Sequence, residues 1–174
     1  MIIKYLPLLP LVILTACSDG STTENATEVG LDTPTETVAR ADAEFQDPLV
    51  DKVFQNYLTL RSALVDSDQA AAATAAGNMA DTFTEDRAEL RTLAQQIADA
   101  GDLEVQREHF RELTGQLGDL LESGLSAGTI YRMHCPMAFD GEGGDWYSEV
   151  DQVRNPYYGE KMLTCGKVEE TIQM

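Results

Sequence analysis

Between residues 49 and 121 the apolar side chains recur every three or four positions, and after Gly124 that rhythm stops. Such spacing gathers apolar groups on one face of a helix but scatters them over both faces of a strand, so it commits this stretch to amphipathic helices. The first face is Leu49, Val53, Tyr57, Leu60 and Leu64, with Asp47 as N-cap and Pro48 at the first helical position, where a missing N–H leaves nothing unpaired. A second helical region starts near Ser67, runs through the alanine-rich 70–76, Met79 and Phe83, and reappears at Leu90, Leu93 and Ile97. It is expected to split at 82–85, and Gly77-Asn78 weakens it as a continuous rod. Gly101 reads as a C′ stop and Asp102 as the next N-cap, opening a helix with Leu103, Phe110, Leu113, Leu117, Leu120 and Leu121 along one side. A Leu/Phe stripe of this kind is core, and His109, beside it among charges, reads as an exposed helix residue. The fold expected is mainly α: an antiparallel bundle of three or four helices over 46–174, ending in a small irregular, partly β lobe at about 129–174.

The N-terminus has a different character. Lys4 is followed by an apolar stretch over 5–14 and by Leu14-Thr15-Ala16-Cys17. A membrane-spanning helix needs about 20 apolar residues, so this run suits the core of an export signal, expected over 1–16. Leu-Thr-Ala-Cys resembles the bacterial lipobox, and the resemblance implies lipidation of the Cys17 sulfur, cleavage before it and acylation of the new amine. Two or three acyl chains then anchor the protein on the periplasmic side of the cell envelope, each buried CH₂ contributing about 0.8 kcal/mol. Ser18, where Asp would suggest inner-membrane retention, points to the outer membrane. Over 17–45 the chain is Thr, Glu, Ser, Gly, Ala and Asp with few large apolar residues, which implies a disordered acidic tether reaching roughly 30 Å.

The formal net charge is −18, and loss of Lys4 with the signal makes it one more negative. No Lys/Arg cluster interrupts this, so nucleic acid is not an expected partner; the carboxylates read as a solvated surface.

Past Gly124 lie Thr129-Ile130-Tyr131, which is strand-like, the turn-like 141–144, and then the punctuation of Asn155-Pro156 and Gly159. This segment also holds the soft donors: Met133, His134, Cys135, Met137, Met162 and Cys165. Thiolate and thioether sulfur favour Cu(I) over the oxygen-seeking Mg and Ca. Cys135-x-Met137 and Met162-x-x-Cys165 each carry a thiol and a thioether in a short turn, so one turn folded on the other makes a two-Cys, two-Met site, with His134 as a possible addition. The same two cysteines, in an oxidising compartment, are equally suited to a structural disulfide, whose loop of about 30 residues stabilises by roughly 3 to 4 kcal/mol in the chain-entropy model. The residues alone leave both readings open.

Cys135-Pro136-Met137-Ala138, Trp146, Asn155-Pro156-Tyr157-Tyr158-Gly159 and Met162-Leu163-x-Cys165-Gly166, with Arg107-x-x-Phe110 upstream, resemble domain of unknown function family 3347. That family occurs as exported lipoproteins and as domains appended to periplasmic adaptor subunits of heavy-metal efflux pumps. Cys135-Pro136-Met137 also resembles the start of the adaptors' short metal-binding segment Cys-Pro-Met-His-Pro, with Ala138 and Phe139 in place of its last two residues. The resemblance implies metal ligation by Cys135, Met137, Met162 and Cys165, with His134 substituting for the missing histidine. It further implies pocket walls from Trp146, Tyr157 and Tyr158, and a turn set by Asn155-Pro156 and Gly159.

The expected function is therefore capture of Cu(I), or a similar soft ion, by an envelope-anchored binding protein that passes it to a heavy-metal efflux system or a periplasmic copper protein. The competing expectation is a non-metal interaction domain stapled by a Cys135–Cys165 disulfide. An enzyme is not expected: two histidines, with His109 far along a helix, fall short of a blue-copper set, and no Cys-x-x-Cys, catalytic triad or phosphate loop stands out.

Overall fold

Helix caps fix where the chain changes direction. The computed structural model describes residues 42–174, and the expected signal, Cys17 and nearly all of the expected tether lie outside them. Of the tether's last residues, Ala43 and Phe45 are buried, and Glu44–Phe45 forms a short strand, β1, so the folded body starts before residue 46. Helix α1 follows over Pro48–Val65, its first turn closed by Asp47, whose carboxylate accepts the Leu49 N–H at 2.9 Å. Ser67 turns the chain with φ 57°, and Asp68 caps α2 (Gln69–Ala80) by accepting the Ala71 N–H at 2.9 Å. Gly77 sits inside α2 without breaking it.

The expected split is present: α2 ends at Ala80, a 3-10 turn spans Glu85–Arg87, and α3 runs over Ala88–Asp99. Asp102 caps α4 (Leu103–Gly124), accepting from the Glu104 and Val105 N–H groups. Gly101 does not adopt the left-handed conformation of a C′ glycine; α3 ends instead with Ala100 extended. Consecutive helices pack on one another, α1 on α2, α2 on α3 and α3 on α4, and α4 also touches α1. Most of the apolar stripe is interior: Val53, Tyr57, Leu60, Leu64, Ile97, Phe110, Leu113, Leu117 and Leu121 are fully buried, as is Phe54 outside it, while Leu49, Leu103 and Leu120 are half-buried. No helix among the described residues is long and apolar enough to cross a membrane.

The C-terminal lobe is a three-stranded antiparallel sheet. Its middle strand, β3 (Thr129–Cys135), pairs on one side with β4 (Gly144–Ser148) and on the other with β5 (Lys167–Gln173). A separate short strand, β2 (Leu125–Ala127), pairs with β1. The molecule is thus mostly helical with a small β lobe at its C-terminal end.

Two buried arginines join lobe to helices. Arg61 on α1 donates to Ser148 Oγ at 2.8 Å and meets the Glu149 carboxylate at 3.3 Å. Arg107 on α4 donates through Nε to the Pro156 carbonyl at 2.9 Å, through Nη2 to the Leu64 carbonyl and Ser67 Oγ, and through Nη1 to Glu104 at 2.8 Å. A buried guanidinium is costly unless its N–H groups are paired, and a planar fork pairs several at once.

Candidate functional site: a thiol pair at the end of the sheet

Cys135 is the last residue of β3 and lies opposite Gly144 of β4. The chain then reverses through Met137 and the short turn Ala138–Gly141, where Phe139 and Asp140 both take left-handed backbone conformations. Residues directly paired across strands share a face and successive residues alternate. Cys135 therefore shares its face with Met133 and Trp146, whereas His134 shares the opposite face with Asp145 and Arg132.

Cys165 arrives from the other direction. After Tyr158 a 3-10 turn, Gly159–Met162, leads to a further turn closed by the Cys165 N–H on the Met162 carbonyl at 3.0 Å. Asn155, fully buried, organises this loop. Its side-chain amide donates to the Cys165 carbonyl at 2.8 Å, its Oδ1 accepts the N–H groups of Tyr157 and Tyr158, and its own N–H donates to the Leu163 carbonyl. Gly166, at φ 137°, lets the chain pass the sheet, since a Cβ there would stand 2.8 Å from the Trp146 ring and 2.9 Å from the His134 carbonyl.

Two thiols 30 residues apart in sequence are thereby brought to 2.9 Å between their sulfurs. Both are free cysteines, because a disulfide bond is close to 2.05 Å. Their exposure differs: Cys135 is fully buried and Cys165 is half-buried. The hydrogen bond with Cys135, then partial burial, pushes the Cys165 thiol up to about 11. The phenol of Tyr158, donating to the Met137 carbonyl at 2.6 Å, is also shifted upward, first by desolvation and then by the nearby sulfurs of Cys135 and Cys165.

The thioethers differ in setting. Met137 is 53 % exposed, Met162 is half-buried, and Met133 is core. Among the described residues no three His, Cys, Asp or Glu side chains group as metal ligands. His134 Nδ1 lies 2.7 Å from Asp145 Oδ1, on the face away from the thiols. His109 lies along α4, 3.5 Å from Glu112, as a surface helix residue.

Aromatic rings tie the thiol lobe to the helices. Trp146 meets Tyr157 edge-on at 6.0 Å between centroids, and Tyr157 meets Phe110 of α4 at the same separation. The Tyr157 hydroxyl donates to the Asp145 carbonyl, and burial raises its phenol well above the usual range. Asn155, Arg61 and Arg107 are the positioning residues that apolar periodicity does not single out: each is polar and buried, Asn155 bonding within its own loop and the two arginines reaching groups far along the chain. The sole local sign for Arg107 is its place next to the apolar stripe.

Fold and site define a helical domain carrying a dithiol on an appended β lobe. Over residues 53–128 the chain matches the model of a family described as a protein of unknown function (DUF3347). The match covers helices α1 to α4 and ends before β3, so the Cys/Met motif lies beyond it. No curated protein and no solved structure matches the chain.

Proposed function

We propose that this protein is an envelope lipoprotein, anchored through Cys17, that binds Cu(I) or a similar soft ion at the C-terminal thiol pair. The ion is cargo, held reversibly and passed to a heavy-metal efflux system or a periplasmic copper protein. The observation that carries the reading is the approach of Cys135, at the end of β3, and Cys165, in a turn, to 2.9 Å, with Met137 and Met162 in the turns beside them. Two thiolates and a thioether are the donor chemistry that a soft monovalent ion selects. Met137, exposed, and Met162, half-buried, supply the thioethers; His134, engaged with Asp145 on the other face, does not enter the ligand set. The protein is a carrier rather than an enzyme. Within it, α1 to α4 form an antiparallel bundle, a reading supported by short connections and by packing of each helix on the next.

The test uses the full chain carrying Cys17→Ser, reduced, in competition with a calibrated Cu(I) chelator. One-to-one binding that falls at least about tenfold in both Cys135→Ser and Met162→Leu is the expected result, since each removes a ligand. The absence of binding after complete reduction, with a disulfide that re-forms at once and a fold that loosens without it, would leave an interaction domain stapled by its cysteines. The anchor is tested separately: Cys17→Ser should release the protein from the membrane fraction, and an unchanged distribution would remove the lipoprotein assignment.

A further inference from the structure

We infer that the thiol pair is also a directional thiol–disulfide exchange site, in which half-buried Cys165 is the sulfur that meets an incoming dithiol or disulfide and fully buried Cys135 is the sulfur that resolves. The inference deepens the proposed function, because the oxidised pair has no thiolate to offer a metal; reduction by a dithiol partner then switches the site on.

The asymmetry is structural. Cys135 ends the central strand, its backbone paired with Gly144 of β4 and its side chain on the face of Met133 and Trp146, both fully buried. Cys165 sits in a turn held by the Met162 carbonyl and the Asn155 amide, with part of its surface open. Exchange requires the attacking thiolate, the attacked sulfur and the leaving sulfur to come into line, so the reagent must reach the attacked sulfur. Only Cys165 offers that access, and at 2.9 Å Cys135 is already within reach to act next.

The steps balance. In the reducing direction a partner thiolate attacks Cys165 Sγ, the Cys135–Cys165 bond breaks, and Cys135 leaves as a thiolate that takes up a proton. The partner's second thiolate then attacks its own sulfur in the mixed disulfide. Cys165 departs as a thiolate and is protonated; the partner is oxidised to its disulfide by two electrons, and this protein holds two thiols. In the oxidising direction Cys165 loses its proton and its thiolate attacks oxidised glutathione, one glutathione leaving as a thiolate that takes up a proton. Cys135 then loses its proton and attacks Cys165 Sγ, expelling the second glutathione, so that this protein is oxidised to its disulfide and two glutathione thiols are released.

The experiment takes the full chain with Cys17→Ser, reduced, and adds oxidised glutathione, following the adducts by mass spectrometry. The parent protein should form the internal disulfide with no retained glutathione. Addition of Cys135→Ser should leave glutathione trapped on Cys165, whereas Cys165→Ser should react more than about tenfold more slowly until denaturant exposes Cys135. Equal rates for the two single-thiol variants under native conditions, or glutathione retained by the parent, would overturn the assignment. Circular dichroism and thermal unfolding identify a variant that has not folded. In that case the mixed disulfide is mapped instead on the oxidised parent, using a dithiol oxidoreductase whose own second cysteine is serine; linkage to Cys135 would be fatal. Copper competition on the reduced parent is independent of all of these outcomes, so a site that exchanges without binding Cu(I), or binds without directional exchange, is told apart from one that does both.

Discussion

At the residue scale the site depends on positions where one added atom has nowhere to go. Gly166 combines a backbone that L side chains rarely adopt with a Cβ position 2.8 Å from the Trp146 ring and 2.9 Å from a carbonyl oxygen. Gly166→Ala must move the turn that carries Cys165. It should destabilise by about 2 kcal/mol or more through backbone strain and overpacking, and should slow closure of the Cys135–Cys165 disulfide under a fixed oxidant. Unchanged stability and closure would show that the loop can shift freely. Arg107 gives a second test. It pairs with two carbonyls, Ser67 and Glu104 while 2 % exposed, so Arg107→Met leaves the Pro156 carbonyl buried without this donor and takes from the Leu64 carbonyl one of its partners, the Ser67 N–H remaining. A loss of about 3 kcal/mol, read as a Tm fall of roughly 10 °C, is expected. Arg107→Lys should recover only part of it, because a point-like ammonium cannot serve the fork's several acceptors. Full recovery by Lys would assign the effect to charge alone.

At the scale of elements, α1 to α4 were legible where the information is local. Asp47, Asp68 and Asp102 each accept a backbone N–H two or three residues ahead, and such a cap needs nothing beyond its own turn. Asp102→Ala should therefore cost about 1 kcal/mol and increase hydrogen exchange in the first turn of α4, leaving α1 as it was. An equal increase in both helices would mean that α4 does not open independently. Asp47 with its proline and Asp102 are legible as caps, although Gly101 does not act as a C′ glycine; the second helix is expected to start near Ser67, and its cap is Asp68. Local spacing could not foresee β5, which has just Val168 and Ile172 among polar neighbours and is a strand because β3 offers it a ladder. Nor could it foresee Arg61, whose partners Ser148 and Glu149 lie far along the chain, or that Asn155, read as a turn residue, holds the Cys165 carbonyl. Cys165 lies in a turn as its motif suggests, whereas Cys135, expected in one, ends strand β3 just before the turn that carries Met137; the structure brings the two thiols together. The faces of β3 were not resolved by the motif. His134, adjacent to Cys135 in sequence, points the other way, a consequence of strand alternation that became visible only once β3 was known to be a strand.

For the whole molecule, the most exposed weakness is alkaline. Three tyrosines join the helices to the lobe: Tyr57, whose oxygen accepts the Tyr147 N–H and shares a hydrogen bond with Thr114; Tyr147, which donates to Glu122 at 2.5 Å; and Tyr157. Desolvation is the first cause of a raised phenol in each, and for Tyr57, which is fully buried, the shift is from 10.0 to about 12. A phenol whose folded value exceeds its unfolded one favours the folded state while neutral. That contribution is complete below the unfolded value of 10.0 and is lost as pH rises through the folded value. For Tyr57 alone the two units correspond to about 3 kcal/mol. The net charge of −18 acts in the same direction, since every further ionisation adds repulsion to an already anionic chain. Stability should thus fall steeply above pH 10, with the buried phenols ionising only as the helical signal is lost and separately from the exposed ones. Moderate salt should move the transition to higher pH by screening that repulsion. Tyrosinate absorbance and circular dichroism recorded on one pH titration decide the matter: ionisation of all tyrosines in a single step, with the helices intact, would mean that the contact between helices and lobe admits solvent and that the buried phenols do not hold it closed.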